Sequence, residues 1–505
     1  MRAFHAFAAA RLLAVLGVLA GATLQALPVR ADQPAPPHVR IGQTFLAAGF
    51  DPAQGSVGWA LVSHGIAEQL FTVSREGRVV PNLARSAERG EDGSWTITLA
   101  PGRSFADGTP VTADAVASAL NRTGEANPSA RASAGRLTFT PVDAATLHVT
   151  TETPTPILPS ILAEWAFPVY RQSGDEFVFT GPFMVASAEP GSLIELLPNP
   201  HFPDGEALPA VTLQKIGDGQ TLALALRSGE IDMAFHLPVE MLPLVRSDPS
   251  ITVRSFPVGY QYMMWMNTRR TALSDPGVRK AIDLAISRED LVAAARAGEV
   301  ATGAYPTTYP FALETPLAAD PDAARAMLDA AGWLPGDDGV RTKDGVRLEL
   351  SLFAYPQRPD LTTFQPVVRA ALANIGISVR TEITEQPTPI AAAGDFDLFL
   401  WAQHAAPAGD PGFLLALFLE TGGANNYSGW SNAAFDALVA ELRTTGDPAK
   451  RIDLAREAQA IVLEEAPVAF LVTPEWHVGL SETLAGYEPW GSDYYVLRGD
   501  LRVAQ

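Results

Sequence analysis

The sequence predicts an α/β protein in which helices cover mixed β-sheets. Two segments carry this prediction, because residues 211–235 and 348–383 each read as an apolar strand, a helix and a second strand. That is the order of a βαβ unit. The chain has 505 residues, which is long enough to bury several hydrophobic cores.

Predicted elements follow one another along the whole chain. In Trp95–Leu99 large apolar residues alternate with threonine, which is the period of a half-buried strand. Thr112 is placed to cap a helix, with Asp114 in its first turn facing the positive end of the helix dipole. Further strands are predicted at residues 40–45, 70–73, 146–150, 211–216, 231–235, 258–267, 348–353, 377–383, 396–401 and 468–472. Further helices are predicted at residues 221–227 and 361–375 and after the N-caps Asp275, Ser287, Asp320 and Asp447.

Residues 1–31 have the pattern of a cleavable signal peptide. Two arginines supply positive charge, residues 12–24 form a short apolar core, and Val29-Arg30-Ala31 is an acceptable cleavage site. We therefore expect a mature protein that is secreted into the periplasm. The alternative is that this segment stays attached as a membrane anchor.

The composition excludes several kinds of function. The chain has no cysteine, so disulfides and thiolate catalysis are ruled out. Its net charge is −20, and removal of the signal peptide, with three arginines and no acidic residue, lowers this by three to −23. Nucleic acid is therefore not an expected partner, because phosphate binding needs a basic face.

No sequence motif indicates an enzyme. The patterns G-x-S-x-G, H-E-x-x-H and G-x-x-x-x-G-K are absent, and the eight histidines are never at helical ligand spacing. We expect no catalytic residue, no cofactor and no metal ion held by the protein alone. A secreted hydrolase that uses an unrecognised carboxylate pair is the remote alternative.

Several phrases of the sequence occur in the order found in one family. They are EQLF at residues 68–71, VVPNLA from Val79, DGSWTITLAPG from Asp92, DGTPVTADAV from Asp107 and TGPF from Thr180. Together they closely resemble the extracytoplasmic binding proteins of peptide and nickel ABC importers, known as family 5. LALALRSGEIDMAF, DPGVRKAIDLAISREDL and DPDAARAMLDAAGW resemble the same family, so the similarity extends through nearly the whole mature chain.

The resemblance implies a two-lobed periplasmic binding protein fold of type II, cluster C. The first lobe would comprise residues 32–74, 179–257 and 478–505, with an extra subdomain at 75–178, and the second lobe residues 258–477. The implied function is to bind short peptides or peptide-like solutes in a cleft between the lobes. The protein would act as a monomer and deliver the solute to the permease subunits of an ABC importer.

The stretch 396–411 is the strongest candidate for a ligand site. A buried strand is expected to end in a loop that carries Trp401, His404 and Asp410. In the peptide-binding relatives an aspartate in this loop holds the peptide's amino group, whereas here no acid lies between Trp401 and Asp410. His404 stands in the loop instead and is a candidate ligand contact. Asp410 can alternatively form an Asx turn before Pro411, and Trp401 can be core or cleft wall.

The same loop also allows a metal-chelate hypothesis. Residues 404–411 resemble a variant of the loop W-G-A-P-Y-D-P of nickel-importer relatives. His404, Arg131 and Arg136 would then hold nickel or another metal as an organic chelate, although a surface position is the preferred interpretation for either arginine. The relatives' arginine and histidine have no counterparts at residues 162–168 and 420–427.

The remaining candidates are aromatic and amide side chains. Trp59, Trp165, Tyr260 and Trp265 are candidate cleft walls, because large aromatic side chains serve either the core or a ligand wall. Asn426 and Tyr427 can hydrogen-bond a ligand backbone or form a simple turn.

Overall fold

The computed structural model describes residues 37–75, 78–131, 135–153, 155–174, 176–189, 191–314 and 318–504. The predicted signal peptide, residues 1–31, lies outside these ranges. In the part of the chain that is described, no helix is both long and apolar enough to cross a membrane. Residues 37–505 form one compact unit.

The strands are, in chain order, β1 (His38–Gln43), β2 (Phe71–Val73), β3 (Val79–Pro81), β4 (Ala84–Arg89), β5 (Trp95–Leu99), β6 (Leu137–Pro141), β7 (Thr146–Thr151), β8 (Tyr170–Ser173), β9 (Glu176–Phe179), β10 (Phe183–Glu189), β11 (Leu193–Pro198), β12 (Ala210–Lys215), β13 (Met233–Phe235), β14 (Ile251–Pro257), β15 (Tyr260–Met266), β16 (Glu299–Val300), β17 (Leu334–Pro335), β18 (Arg341–Lys343), β19 (Val346–Arg347), β20 (Glu349–Ala354), β21 (Ser378–Ile383), β22 (Leu398–His404), β23 (Val468–Thr473) and β24 (Glu475–Ser481).

The α-helices are α1 (Val57–Ser63), α2 (Ala113–Ala126), α3 (Leu158–Ile161), α4 (Gly219–Arg227), α5 (Leu242–Arg246), α6 (Pro276–Ala285), α7 (Arg288–Ala295), α8 (Pro321–Ala330), α9 (Pro359–Asn374), α10 (Pro387–Ala393), α11 (Gly412–Leu414), α12 (Ala433–Thr444) and α13 (Pro448–Glu465). A π-helical turn, Leu415–Leu419, continues α11, and 3₁₀ turns include Pro128–Arg131, Val239–Met241 and Asp493–Tyr495.

The larger sheet has seven strands in the order β10-β11-β12-β1-β13-β24-β14. Its central strands β12, β1 and β13 are parallel, and the flanking strands are antiparallel. Strand β12, helix α4 and strand β13 form the βαβ unit predicted in residues 211–235, with β1 lying between its two strands. We call this sheet and its helices the first lobe.

The second sheet has six strands in the order β16-β23-β15-β22-β20-β21. Strands β22, β20 and β21 are parallel to one another, and β20, α9 and β21 form the other predicted βαβ unit. Helices α7 and α9 contact each other, and α9 also contacts β20, β21 and β22. We call this sheet and its helices the second lobe.

The chain crosses between the lobes twice, each time through a very short connection. Residues 258–259 join β14 to β15, and Pro474 joins β23 to β24. Strand β24 pairs with β13 and β14 of the first lobe, so the return crossing precedes the boundary that the sequence placed after His477. Gly259 has no room for a side chain, since a Cβ there would lie 2.7 Å from Cε1 of His404.

A four-stranded antiparallel sheet in the order β4-β5-β7-β6 forms a separate layer with helix α2 packed on it. Two of the sequence phrases that resemble the family have structural roles here. Glu68, which begins EQLF, forms an ion pair with Arg103 at 2.5 Å. Thr112, within DGTPVTADAV, caps α2 by accepting a hydrogen bond from the amide of Ala115.

Most predicted helix starts are confirmed by their capping contacts. Asp275, Ser287, Asp320 and Asp447 each accept a hydrogen bond from a backbone amide in the first turn of their helix. These caps satisfy amide groups that have no partner inside the helix. The predicted end of strand 396–401 is wrong, because β22 continues to His404 by pairing with β15.

Candidate ligand-binding site

A cavity of about 280 Å³ lies between the two lobes. Its walls are largely aromatic. Residues before the first crossing and after the second contribute Phe45, Trp59, Trp165 and Tyr494. Residues between the two crossings contribute Tyr260, Tyr355, Trp401, Phe418 and Tyr427. A cavity of this kind offers flat apolar surface to a solute that is held from both sides.

The second-lobe wall is built around Trp401. This residue lies on β22 opposite Met263 of β15, and its ring contacts Tyr355 at 5.3 Å and Tyr427 at 5.1 Å between ring centroids. Its indole Nε1 donates to Oε1 of Gln403 at 3.3 Å. A sheet therefore fixes the orientation of this wall, while 7 % of Trp401 remains exposed towards the cavity.

The facing wall is built by α1 and the segments that pack on it. Trp59 on α1 stacks on Phe45 with ring centroids 4.4 Å apart. Helix α1 also lies close to the backbone of Trp165. A Cβ at Gly58 of this helix would lie 2.7 Å from the Trp165 carbonyl oxygen. The glycine therefore allows the two tryptophan-bearing segments to meet closely.

Among the described residues, one cation, Arg358, lines the cavity. It precedes α9 and is only 7 % exposed. Its guanidinium carbon lies 5.1–5.9 Å from the ring centroids of four aromatic residues: Phe45, Trp59, Tyr260 and Trp476. Such contacts stabilise a cation that has lost its water.

The charge of Arg358 is balanced by Asp493, which is fully buried. Nη2 of Arg358 donates to Oδ2 of Asp493 at 2.5 Å, and the Tyr260 hydroxyl donates to Oδ1 of the same carboxylate. Burial alone would lower the pKa of Arg358. The opposing electrostatic interactions, of which that with the nearby Asp493 carboxylate is the largest, together exceed this effect, so the pKa of Arg358 is raised above its usual value. This ion pair joins the second lobe to the C-terminal segment.

A second polar group lies beside the ion pair. Trp476 Nε1 donates to the Tyr262 hydroxyl at 2.8 Å, and that hydroxyl donates to Oδ2 of Asp360 at 2.7 Å. Burial raises the pKa of Asp360 to about 6. These bonds also connect the two lobes, because Trp476 is on β24 and Tyr262 is on β15.

A family model for bacterial extracellular solute-binding proteins, described as family 5 Middle, matches residues 78–426 of the chain. The match spans more than half of the sequence and agrees with the resemblance noted above. The chain belongs to the bacterial extracellular solute-binding proteins of family 5.

Individual relatives agree with this assignment. The family 5 protein is similar to the probable D,D-dipeptide-binding periplasmic protein DdpA of Escherichia coli (strain K12), with 26% identity over 432 residues covering 80% of this chain and 81% of that protein. It superposes on NikA from Staphylococcus aureus in complex with Ni(L-His)2 with a TM-score of 0.85, 18% identity, and coverage of 93% of this chain and 100% of NikA.

A third comparison gives the same fold. AppA from Bacillus subtilis, in complex with a nonapeptide, superposes with a TM-score of 0.80 and 18% identity over 94% of this chain and 100% of AppA. The predicted two-lobed periplasmic binding protein fold is thus confirmed.

Five residues predicted from the sequence meet at the cavity of this family 5 protein. They are Trp59, Trp165, Tyr260, Trp401 and Tyr427. These residues come from α1, the segment after α3, β15, β22 and the loop before α12. The local sequence around each residue does not indicate that the five lie together. Tertiary contacts, such as the pairing of β15 with β22 and the packing of α1, bring them to one place.

His404 and Asp410 do not line the cavity. His404 lies on β22 rather than in a loop, between the rings of Tyr260 and Tyr494, and burial lowers its pKa to about 3. Asp410 accepts a hydrogen bond from the amide of Gly412 at 2.8 Å and forms an ion pair with Arg451. Both side chains are therefore held by the protein's own packing, and Asp410 makes the Asx turn that the sequence allowed.

Trp265 and Asn426 also lie outside the cavity lining. Trp265 is fully buried and stacks on Phe418 at 6.2 Å. The Asn426 amide donates to the carbonyl oxygens of Glu420 at 3.0 Å and Trp430 at 2.8 Å. Asn426 thus closes a turn, and its neighbour Asn425 lines the cavity instead.

The two arginines of the metal-chelate hypothesis do not line the cavity either. Arg131 ends a 3₁₀ turn of which Ser129 reaches the cavity. Arg136 is 54 % exposed and lies 3.8 Å from Glu125. In the described parts of the chain no group of three or more histidine, aspartate or glutamate side chains is arranged to hold a metal ion.

Several lining residues were not predicted from the sequence, most importantly Arg358. The aromatic ones among them are Phe45, Tyr355, Phe418 and Tyr494. Arg358 follows strand β20 and directly precedes the predicted helix of the second βαβ unit, which is a place where ligands often bind in α/β proteins. Its position before this helix is the sequence feature that could have identified Arg358 as a candidate. Its partner Asp493 lies 135 residues further along the chain, and no local feature of the sequence links the two.

Proposed function

We propose that this family 5 protein is the solute-binding component of an ABC importer. It takes a short peptide or peptide-like solute into the interlobe cavity and delivers it to the permease subunits in the membrane. The single observation that carries the proposal is the aromatic cavity, which both lobes line and to whose lining the buried cation Arg358 belongs.

The shape and size of the cavity support a small solute. Its volume of about 280 Å³ is near the lower end of the range for small-molecule sites, roughly 300–1,000 Å³. A solute of dipeptide-like size would stack on the aromatic walls and hydrogen-bond to polar groups such as Gln357, Gln403 and Thr388. Binding would favour the closed arrangement to the extent that the solute contacts both lobes.

The proposed location of this protein is the periplasm. The signal-peptide pattern of residues 1–31 would direct export and be cleaved. The mature protein would then capture solute outside the inner membrane as a monomer. No covalent chemistry is part of the proposal, because binding, closure and release suffice for transport.

The proposal is tested by titration with intrinsic tryptophan fluorescence, because Trp59, Trp165 and Trp401 lie at the cavity. The probes are pools of peptides of two to five residues, prepared with free and with acetylated amino ends, and nickel–histidine as a metal chelate. We expect a saturable change with at least one peptide pool and none with the chelate. Saturation by the chelate alone would replace the peptide proposal with the metal-chelate alternative.

A further inference from the structure

The cavity has an unusual balance of charge. Among the described residues that line it, Arg358 is the single charged side chain, and no aspartate or glutamate takes part. The other polar lining groups are neutral amides and hydroxyls, such as Gln357, Gln403 and Asn425. A positively charged ammonium group in the cavity would therefore face a cation and no free anion.

The carboxylates around the cavity are already engaged or hidden. Asp493 is fully buried and accepts hydrogen bonds from Arg358 and Tyr260. Asp410, which follows the wall strand β22, forms an ion pair with Arg451 and is 8 % exposed. Glu164 precedes the wall residue Trp165, but it is buried and does not belong to the lining.

Arg358, by contrast, has donor groups to spare. A guanidinium carries five N–H donors. Nη2 donates to Asp493 and Nη1 to the backbone oxygen of Gln357 at 3.2 Å. The Nε atom is buried and has no hydrogen-bond partner within the described residues. The two hydrogen bonds use two of the five donors, so N–H groups of the guanidinium remain for a ligand carboxylate.

The direction of α9 adds to this preference. Arg358 stands at the N-cap of this helix, which extends over Pro359–Asn374. The N-terminal end of a long helix carries a partial positive charge that favours anions. Asp360, in the first turn of the same helix, accepts a hydrogen bond from the Tyr262 hydroxyl and does not line the cavity. The charged group that an added carboxylate or ammonium would meet among the described lining residues is therefore the Arg358 guanidinium.

The geometry points to a solute that is an organic acid without a charged amine, such as an N-acylated amino acid or an N-blocked short peptide. Its carboxylate would accept hydrogen bonds from Arg358, and its acyl group or side chain would stack between Trp59 and Trp401. This inference rests on the proposed function and narrows its substrate class. A free amino terminus would be excluded because no carboxylate in the lining would pair with it.

Native mass spectrometry with three matched peptide pools tests this inference. The pools contain the same dipeptides with a free amino end, with an acetylated amino end, or with an acetylated amino end and an amidated carboxyl end. We expect complexes with the acetylated acids, and at least tenfold weaker binding of the other two pools. Equal or tighter binding of the free dipeptides would overturn the inference and leave the transport function standing. Failure of all three pools would overturn the inference, and the titration with peptides of two to five residues would then decide the proposed function separately.

Two variants make the test specific to the cavity. Asn425→Asp places a carboxylate in the lining, and it should improve binding of the free dipeptides relative to the acetylated ones by tenfold or more. Asn374→Asp is the matched control, because it makes the same change at the far end of α9. An equal shift in both variants, or no shift in Asn425→Asp, would contradict the inference.

The role of Arg358 is tested by removing both members of its ion pair. Arg358→Gln alone leaves Asp493 buried without its partner and can fail to fold. The double variant Arg358→Gln with Asp493→Asn removes both charges together. If it melts cooperatively, as thermal unfolding will report, it should bind the acetylated acids at least tenfold more weakly. Unchanged affinity would exclude Arg358 as the carboxylate partner, and loss of folding moves the decision to the Asn425→Asp comparison.

Discussion

Arg358 is a buried cation whose surroundings are mostly aromatic. Four rings lie within 6 Å of its guanidinium carbon, and one carboxylate, Asp493, neutralises it. Removal of one member of a buried ion pair typically costs about 3–5 kcal/mol, because the other charge is left without compensation. The pair therefore fixes the position of Arg358 at the cavity, and the proposed preference for an organic acid depends on that position.

Trp401 is the wall residue whose contribution is easiest to measure. Trp401→Ala should weaken solute binding more than tenfold without abolishing cooperative unfolding, because it removes a large stacking surface from a wall that the sheet otherwise supports. Calorimetric titration measures the affinity. The control is Trp490→Ala, which removes a tryptophan outside the lining, beside Arg75 and Arg498. If both variants bind equally well, Trp401 is not part of the site.

Asp360 should make stability depend on pH. Burial raises its pKa from 3.8 to about 6, so the folded protein holds the proton more tightly than the unfolded chain. The resulting stabilisation is complete below the unfolded pKa and is lost as the pH rises through about 6. At about 1.4 kcal/mol per pKa unit, the loss amounts to about 3 kcal/mol.

Asp360→Asn should therefore stabilise the protein relative to wild type at pH 8, by up to about 3 kcal/mol, and have much less effect at pH 4. The Tyr262 hydroxyl can still donate to the asparagine oxygen. Urea unfolding at both pH values measures the difference. Asp322→Asn is the control, because that side chain is 95 % exposed. A difference of the same size at both pH values would contradict the assignment.

At the scale of elements, the sequence indicated which segments are strands and helices better than where they end. Capping residues such as Thr112 and Asp447 act on the next few amides, so their effect is local and readable. The end of β22 is not local, because its last residues are paired with β15, 138–144 residues earlier in the chain. His404 was consequently assigned to a loop, although the sheet holds it in a strand.

The same reason limits what the sequence revealed of the site. Trp59, Trp165 and Trp401 were candidates because large aromatic side chains often form walls, but nothing local separated them from Trp265, which is fully buried. Arg358 was missed because its importance depends on Asp493 and on rings from both lobes. Residue type therefore predicted candidates, and only tertiary packing selected among them.

Within the phrase TGPF, at residues 180–183, the close approach of two chain segments requires glycine at position 181. A Cβ at Gly181 would lie 2.4 Å from the carbonyl oxygen of Gly65 and 2.5 Å from that of Ile66. These backbone atoms cannot easily move away, since Gly181 and Phe183 donate amide hydrogen bonds to the two oxygens at 3.0 Å. The phrase thus ties the strand that opens with Phe183 to the segment after α1.

Gly181→Ala should destabilise the protein by about 1–3 kcal/mol, which is the usual cost of forcing extra atoms into a packed interior. Gly217→Ala is the matched control, because no atom lies within 4 Å of its added Cβ, and it should change stability by less than about 1 kcal/mol. Urea denaturation of both variants measures the effect. Equal stabilities would show that the close contact at Gly181 is relieved without cost.

At the scale of the whole molecule, the lobes are joined by two short crossings and by side-chain contacts. The Thr44 hydroxyl donates to the backbone oxygen of Gln357, and the Thr363 hydroxyl to Oε1 of Glu240, each at 2.8 Å. The Arg358–Asp493 ion pair lies in the same region. A solute that touches both lobes would add to these contacts and so favour the arrangement in which the lobes are held together.

The most direct test of this account is to identify the solute that the full-length protein carries when it is exported and purified gently. Native mass spectrometry gives the mass of the complex, and elemental analysis of the same sample gives its metal content. The account predicts one small organic acid per chain and no stoichiometric metal. One metal per chain, together with a small chelator, would contradict it and support metal-chelate transport instead.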